Sequence, residues 1–193
     1  MIAIGELGLD YHYKRLKQHR IRQKMWFVWQ LKLAEKSHLP LILHIRLGDT
    51  DAIKILRHHK DKLNGGVCHC FNQGSDIAKI YTEEFGFMLG IGGSLLQEGC
   101  EKLEQTVRDI PLEHLILETD GPYVRPIRPE NVTGKKWKKT RNSSLIIPDI
   151  AQRVAELKKI DVDEVERITT ENVVRVFKLQ KKTGADLSSE MKH

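Results

Sequence analysis

The stretch Leu115-Ile-Leu-Glu-Thr-Asp-Gly-Pro-Tyr123 decides the fold of this chain. It begins as a short apolar run of strand length and ends at Gly121-Pro122, where regular structure stops. Residues two apart on a strand face the same way, so the pattern predicts that Glu118 and Asp120 point together. A carboxylate at the tip of a buried strand is costly unless a cation satisfies it, and that cation could be an arginine or a metal ion.

The rest of the chain alternates apolar runs of strand length with segments of helical periodicity. Strands are predicted at about residues 2–9, 41–45, 67–71 and 86–91, and helices at about residues 18–37, 52–62, 75–84, 99–109, 148–159 and 163–178. A repeated strand-helix order predicts a parallel sheet with right-handed crossovers. We expect one domain over residues 1–179, followed by a polar tail at residues 180–193.

Two helices carry more detailed predictions. In the first, the apolar residues spaced for one buried stripe are Ile21, Met25, Val28, Leu31 and Leu33. At the start of the last helix, Asp161 with Glu164 has the spacing of a capping box.

Composition narrows the class of protein. The 193 residues are 40% hydrophobic and 30% charged, which is ordinary for a globular chain, and the formal net charge of +6 suits an anionic partner. No apolar run approaches the roughly 20 residues that span a bilayer. Glu6 and Asp10 interrupt any secretory pattern, and three cysteines do not suggest a disulfide framework, so a cytoplasmic location is expected.

Polar residues stand at the ends of four predicted strands: Glu6, His44, His69 and Asp120. The C-terminal ends of parallel strands gather at one edge, where α/β enzymes keep their chemistry. Two imidazoles and two carboxylates converging there are typical ligands for a divalent transition metal. Each of these residues, taken alone, could instead have a structural role, with its polar group hydrogen-bonded within the protein. Four such residues at the same topological position favour a metal site.

These residues belong to segments that resemble a known family. The segments are Gly5-Glu-Leu-Gly-Leu-Asp10, His44-Ile-Arg46, His69-Cys-Phe71 and Glu118-Thr-Asp-Gly-Pro122. They are similar in order and spacing to the signature segments of TatD-type metal-dependent hydrolases, which are amidohydrolase-like enzymes. The resemblance implies a TIM-barrel-type (β/α)₈ fold and deoxyribonuclease activity with one or two divalent ions (Mg²⁺, Mn²⁺ or Zn²⁺).

The same resemblance implies roles for individual residues. Glu6, His44 and His69 would hold one metal ion, with Glu6 bridging to a second. Asp120 would be a ligand of that second ion and the candidate general base, and therefore the predicted catalytic residue.

The chain also departs from the family's pattern. No His-x-His segment precedes Glu6. The resemblance therefore implies an incomplete barrel of about five parallel strands that lacks the first three βα units. The expected consequences are impaired catalysis and an exposed sheet edge that could self-associate. Two other functions stay open: an inactive fragment that binds metal or nucleic acid, and an amidohydrolase-type ester or amide hydrolase.

Several cations and an aromatic residue are candidates for substrate binding. Arg46 shares a strand face with His44 and could contact a phosphate or pair with Glu118. Lys136, Trp137 and Arg141 lie in a basic loop after the fifth strand. Basic residues around an aromatic ring suit a nucleic-acid backbone with base stacking. The expected substrate is DNA, with RNA or small phosphodiesters as alternatives.

Two cysteines flank His69 and look like a Cys-His-Cys metal motif. Strand alternation would send Cys68 and Cys70 to the opposite face, so core packing is expected for both. His12 follows the first strand and could approach the metal ions.

Overall fold

The computed structural model describes residues 1–12, 19–125 and 141–179. Within these residues the strands form one parallel five-stranded sheet in chain order. The strands are β1 (Ile4–Asp10), β2 (Leu41–Arg46), β3 (Gly66–Cys68), β4 (Phe87–Ile91) and β5 (Leu115–Leu117). Order β1-β2-β3-β4-β5 with helical connections is the arrangement of a (β/α) barrel, which confirms the predicted fold class.

The helices follow the predicted alternation, with small changes at their ends. They are α1 (Arg20–Ser37), α2 (Asp49–His58), α3 (Ser75–Lys79), α4 (Glu101–Asp109), α5 (Ile147–Lys158) and α6 (Val162–Val176). A π-helical segment, Ile80–Glu84, continues α3. Among the described residues, no helix is both long and apolar enough to cross a bilayer.

Strands β3 and β4 are buried on both faces, whereas β1 and β2 have half-buried and exposed residues, such as Ile42 and Glu6. Alternate strand residues such as Leu43, Cys68 and Leu89 belong to the main core, together with buried side chains of the helices. Val67, Met88 and Ile116 form a smaller cluster that packs against the C-terminal part of α6. Because neighbouring residues of a strand face opposite ways, Cys68 and Val67 belong to different clusters. Two-sided burial explains why β3 and β4 read as continuous apolar runs.

The predicted buried stripe of α1 is wrong. The buried residues of this helix are Phe27, Leu31 and Ala34. Three of the predicted stripe residues are exposed: Ile21 by 76%, Met25 by 68% and Leu33 by 53%. Apolar side chains, including Trp26 and Trp29, lie on almost every side of α1, so periodicity alone does not single out one face. Packing against β1 decides which face is buried.

Strand β1 contains Gly5 and Gly8 and continues through both to Asp10, with an irregular register between Ile4 and Leu7. Gly5 lies in this irregular part, where a Cβ would stand 2.6 Å from the Cβ of Ile42 on β2. Glu6 therefore lies in the middle of β1 rather than at its end.

The N-terminus of α6 provides a stability prediction. Asp161 is the N-cap, and its Oδ1 accepts a hydrogen bond of 2.8 Å from the backbone N–H of Asp163. The reciprocal bond from Glu164 is not among the contacts of the described residues, so only the cap of the predicted capping box is confirmed. We expect Asp161→Ala to lower the free energy of unfolding by about 1 kcal/mol in urea denaturation.

Asp161→Asn is the matched control for this prediction, since asparagine keeps the acceptor oxygen. Glu164→Ala should be nearly neutral, within about 0.5 kcal/mol. A loss from Glu164→Ala as large as that from Asp161→Ala would contradict this view of the cap.

Candidate metal centre

The four predicted ligands meet at the C-terminal rim of the sheet. Glu6 Oε1 lies 2.6 Å from His44 Nδ1 and 3.8 Å from His69 Nε2. Asp120 Oδ1 lies 3.5 Å from the same nitrogen of His69. Ligand atoms bound to one ion at about 2.0–2.2 Å stand roughly 3–4 Å apart, so the two longer distances fit a shared cation. Ligand-type atoms of Glu6, His44 and His69 all lie within 4.8 Å of one another.

His69 is oriented by a second carboxylate. Its Nδ1 is 3.0 Å from Glu118 Oε2, which leaves Nε2 directed toward Glu6 and Asp120. The hydrogen bond to Glu118 is the largest cause that raises the pKa of His69 to about 9, and the charges of Glu6 and Asp120 act in the same direction against burial. The carboxylates around His69 thus favour positive charge at this place, and a metal ion that binds Nε2 would take the place of the proton.

His44 is held in a similar way. Its Nδ1 faces Glu6, and its Nε2 lies 3.4 Å from Asp10 Oδ2. Each histidine therefore presents one ring nitrogen to Glu6 and the other to a further carboxylate. Metal-binding histidines commonly have such an outer carboxylate, which fixes the ring and its tautomer. Asp10 was not predicted to take part in the site, although it lies four residues after Glu6 on the same strand, a spacing that places both side chains on one face.

Glu118 fits into a space left by a glycine. A Cβ on Gly90, in the neighbouring strand β4, would stand 2.5 Å from Glu118 Oε2. The other oxygen, Oε1, accepts a hydrogen bond from the backbone N–H of Cys70. The sequence predicted the direction of Glu118 but not its role as the partner of His69, because that role depends on the width of the gap above Gly90.

Asp120 faces His69, as predicted, but it is not part of a strand. Strand β5 ends at Leu117, and Asp120 has a φ of +55°, in the left-handed region. Burial is the main cause that raises the pKa of its carboxyl group, and the neighbouring His69 lowers it. The turn rather than strand alternation therefore directs this carboxylate to the site.

Core packing was the prediction for both cysteines, and it is wrong for Cys70. Cys68 is buried in the main core, as expected. Strand β3 ends at Cys68, and Cys70 has a φ of +49°, so alternation no longer applies there. Its thiol lies within 4.8 Å of ligand-type atoms of His69 and Glu118. Burial raises the pKa of this thiol to about 12, which keeps it protonated and makes it a poor ligand.

The rim opens into a cavity of about 810 Å³. Its lining residues are Asp10, His12, His44, Ile45, Arg46, Leu47, His69, Cys70, Asn72, Gln73, Ser94, Gln97, Asp120, Tyr123 and Val124. The lining combines apolar side chains with several amide and hydroxyl groups besides the candidate ligands. A cleft with converging titratable groups at this end of a parallel sheet is where a substrate would bind.

The predicted substrate-binding residues have different outcomes. Arg46 lines the cavity, while the Glu118 carboxylate is bonded to His69 and Cys70. Arg141 is exposed and is not among the described lining residues. Lys136 and Trp137 lie outside the described residues, as does the predicted tail at residues 180–193.

A parallel β/α sheet with carboxylates and imidazoles at its C-terminal rim is an arrangement found in metal-dependent hydrolases of the barrel type. Residues 1–178 match the family described as TatD related DNase. The chain belongs to this family.

Relatives and solved structures agree with that assignment. The chain is 33% identical over 179 residues to an uncharacterized metal-dependent hydrolase, YabD, of Bacillus subtilis, covering 93% of this chain and 66% of the relative. It is 35% identical over 181 residues to the 3′-5′ ssDNA/RNA exonuclease TatD of a Rahnella strain, with the same two coverages. The crystal structure of YJJV, a TatD homolog from Escherichia coli, has a TM-score of 0.80 at 26% identity, covering 92% of this chain and 64% of that one. The chain thus spans about two thirds of the length of these relatives.

Proposed function

We propose that this chain is a divalent-metal-dependent hydrolase that cleaves phosphodiester bonds of DNA. The observation that carries the proposal is the position of Glu6 Oε1, which faces both His44 Nδ1 and His69 Nε2, two histidines that line the cavity. Two imidazoles, the Glu6 carboxylate and the nearby Asp120 carboxylate form a donor set that suits Mn²⁺ or Zn²⁺, and the carboxylates also suit Mg²⁺.

Glu6, His44, His69 and Asp120 would hold the ion, which when bound would stabilise charge on the phosphoryl oxygens as a Lewis acid. The chain's own residues would do the rest. Glu118 and Asp10 orient the two imidazoles, and Asp120 accepts a proton from the attacking water. Burial raises the pKa of Asp120, which makes this carboxylate a stronger base than an exposed aspartate.

Charge supports a phosphodiester over a neutral ester or amide. The net charge of +6 favours a polyanion, and Arg46 stands in the cavity wall where it could contact a phosphate. We propose Lys136, Trp137 and Arg141 as further contacts to the DNA backbone and bases, by their sequence alone. The name of the Rahnella relative includes RNA beside single-stranded DNA, so RNA belongs in any test of substrate preference.

A substrate panel tests the proposal. The purified chain, with and without Mn²⁺, would be given end-labelled single-stranded DNA, double-stranded DNA, RNA, bis(p-nitrophenyl) phosphate and p-nitrophenyl acetate. We expect Mn²⁺-dependent cleavage of DNA that EDTA abolishes. Turnover of the acetate alone would favour the ester or amide hydrolase. Metal or DNA binding without any turnover would favour a binding protein instead.

The proposed base gives a second prediction. Asp120→Asn should lower the DNA cleavage rate by about 10²- to 10⁴-fold, because the amide cannot accept the proton from water. Asp61→Asn is the control, since Asp61 is exposed in a turn between α2 and β3. Cleavage by Asp120→Asn at the rate of the unchanged chain would remove Asp120 from the mechanism.

A further inference from the structure

We propose that Asn142 is a positioning residue for the candidate metal centre: it holds the turn that carries Asp120 in the conformation that faces His69. This inference rests on the proposed metal site. Asn142 is only 6% exposed.

Asn142 is bonded to both sides of the turn. Its Nδ2 donates one hydrogen bond of 2.6 Å to the carbonyl of Thr119 and one of 3.0 Å to the carbonyl of Val124. Its backbone N–H donates to the carbonyl of Pro122 at 3.2 Å. Carbonyl groups before and after Asp120 are therefore fixed to one residue that lies 18 to 23 positions later in the chain.

The turn needs such support because its backbone is not in a relaxed conformation. A non-glycine residue in the left-handed region, as Asp120 is at φ +55°, is disfavoured unless surrounding contacts hold it. Within the turn, the Tyr123 N–H donates to the carbonyl of Asp120 at 2.8 Å, and the Gly121 N–H donates to Thr119 Oγ1 at 3.1 Å. These local bonds close the turn, but only Asn142 among these contacts fixes it to the rest of the molecule.

The space beside the turn is also fitted to Asn142. A Cβ on Gly121 would stand 3.3 Å from the Asn142 carbonyl oxygen, which shows that the two backbones lie close together. Loss of the Asn142 bonds would let the turn relax, and the Asp120 carboxylate would move from its place 3.5 Å from His69 Nε2. Asn142 thus acts on the site through Asp120, without touching either histidine.

A second buried asparagine, Asn172, provides a matched control, because its side-chain amide also donates to two backbone carbonyls. Asn172 is 1% exposed, and its Nδ2 donates to the carbonyls of Leu112 and Leu115 at 2.9 and 2.7 Å. Asn172 thus holds the beginning of β5, while Asn142 holds the turn that follows the end of the same strand. Truncating either side chain leaves two carbonyls without their donor, so the general loss of stability should be similar.

The experiment compares Asn142→Ala with Asn172→Ala in the full chain. Hydrogen exchange of the Tyr123 amide is measured on protein stripped of metal, and Mn²⁺ affinity is measured by calorimetry. We expect Asn142→Ala to accelerate Tyr123 exchange at least about tenfold and to weaken Mn²⁺ binding by about tenfold or more. Asn172→Ala should change each quantity by no more than about twofold.

Equal effects of the two variants, or no effect of Asn142→Ala, would overturn the proposal. If the unchanged chain binds no Mn²⁺, the proposed metal site fails, while the exchange comparison still decides whether Asn142 holds the turn. If Asn142→Ala does not fold, Asn142→Asp and Asn172→Asp replace the pair. Aspartate keeps the volume and the Oδ1 that accepts from the Ser143 N–H, and it replaces the donating Nδ2 by an oxygen. It also adds a negative charge, and the same change at Asn172 controls for that charge.

Discussion

Replacing His69 by alanine is expected to weaken Mn²⁺ binding by more than about 100-fold, since loss of an outer partner alone commonly costs 10- to 100-fold. Three carboxylates of the site lie close to the His69 ring: Glu6 and Asp120 face its Nε2, and Glu118 is bonded to its Nδ1. Without it, the remaining carboxylates would have one imidazole fewer to complete a cation site. Calorimetric titration of the stripped protein with Mn²⁺ measures the effect.

A histidine on the surface provides the control for this prediction. His58 is exposed at the end of α2, with a hydrogen bond to the carbonyl of Lys54 in its own helix. His58→Ala should bind Mn²⁺ like the unchanged chain. Tight Mn²⁺ binding that survives in His69→Ala but not in His58→Ala would place the ion elsewhere and remove the basis of the proposed function.

Replacing Gly90 by alanine is expected to weaken Mn²⁺ binding by about 10- to 100-fold, although Gly90 touches no proposed ligand of the ion directly. The added methyl group would stand 2.5 Å from Glu118 Oε2 and 2.7 Å from its Cδ. Glu118 would have to move, and it would lose its bonds to His69 Nδ1 and to the Cys70 N–H. The ring of His69 would then be free to turn.

The same strand end provides a matched control. A Cβ on Gly92 would stand 3.4 Å from the Glu118 carbonyl oxygen, which is ordinary contact, so Gly92→Ala should leave Mn²⁺ affinity nearly unchanged. In a Glu118→Ala background, Gly90→Ala should add little further loss, because the carboxylate it displaces is absent. Independent, additive losses from Gly90→Ala and Glu118→Ala would show that the methyl group acts through some other contact.

The approach of His44 to His69 is the part of the site that the sequence predicted best. The chemical types at the strand ends were sufficient to predict that His44 and His69 approach one another, because parallel strands end at one edge. The outer carboxylates were harder to assign. Asp10 is the last residue of β1. Its contact with the His44 ring depends on the register of β1 and β2, in which Gly8 pairs with His44. The position of the Glu118 carboxylate depends on the absence of a side chain at Gly90. The periodicity of the sequence gives no information about that contact.

The errors have a common physical origin. Alternation predicts a side chain's direction only while the strand lasts, and β3 and β5 end earlier than the apolar pattern suggests. Cys70 and Asp120 lie beyond those ends in left-handed backbone conformations. The prediction that Cys70 packs in the core was therefore wrong. The prediction that Asp120 faces the site was correct, but because of the turn and not because of strand alternation. Similarly, α1 is apolar on almost every side, and contact with β1 rather than periodicity decides that Phe27 is buried and Met25 is exposed.

The order of strands and helices, the parallel sheet and the residue types of the candidate site could be predicted from the amino-acid sequence, because the spacing of apolar residues is a local property of the chain. The positions of Glu6 within β1 and of Asp120 in a turn after β5 could not. Tertiary structure alone decided which carboxylate holds which imidazole and which residue fixes the Asp120 turn. Those contacts join positions far apart in this chain: His69 and its partner Glu118 are 49 residues apart, and Asn142 and Thr119 are 23 residues apart. They form only when close packing brings the partners together, so no local pattern encodes them.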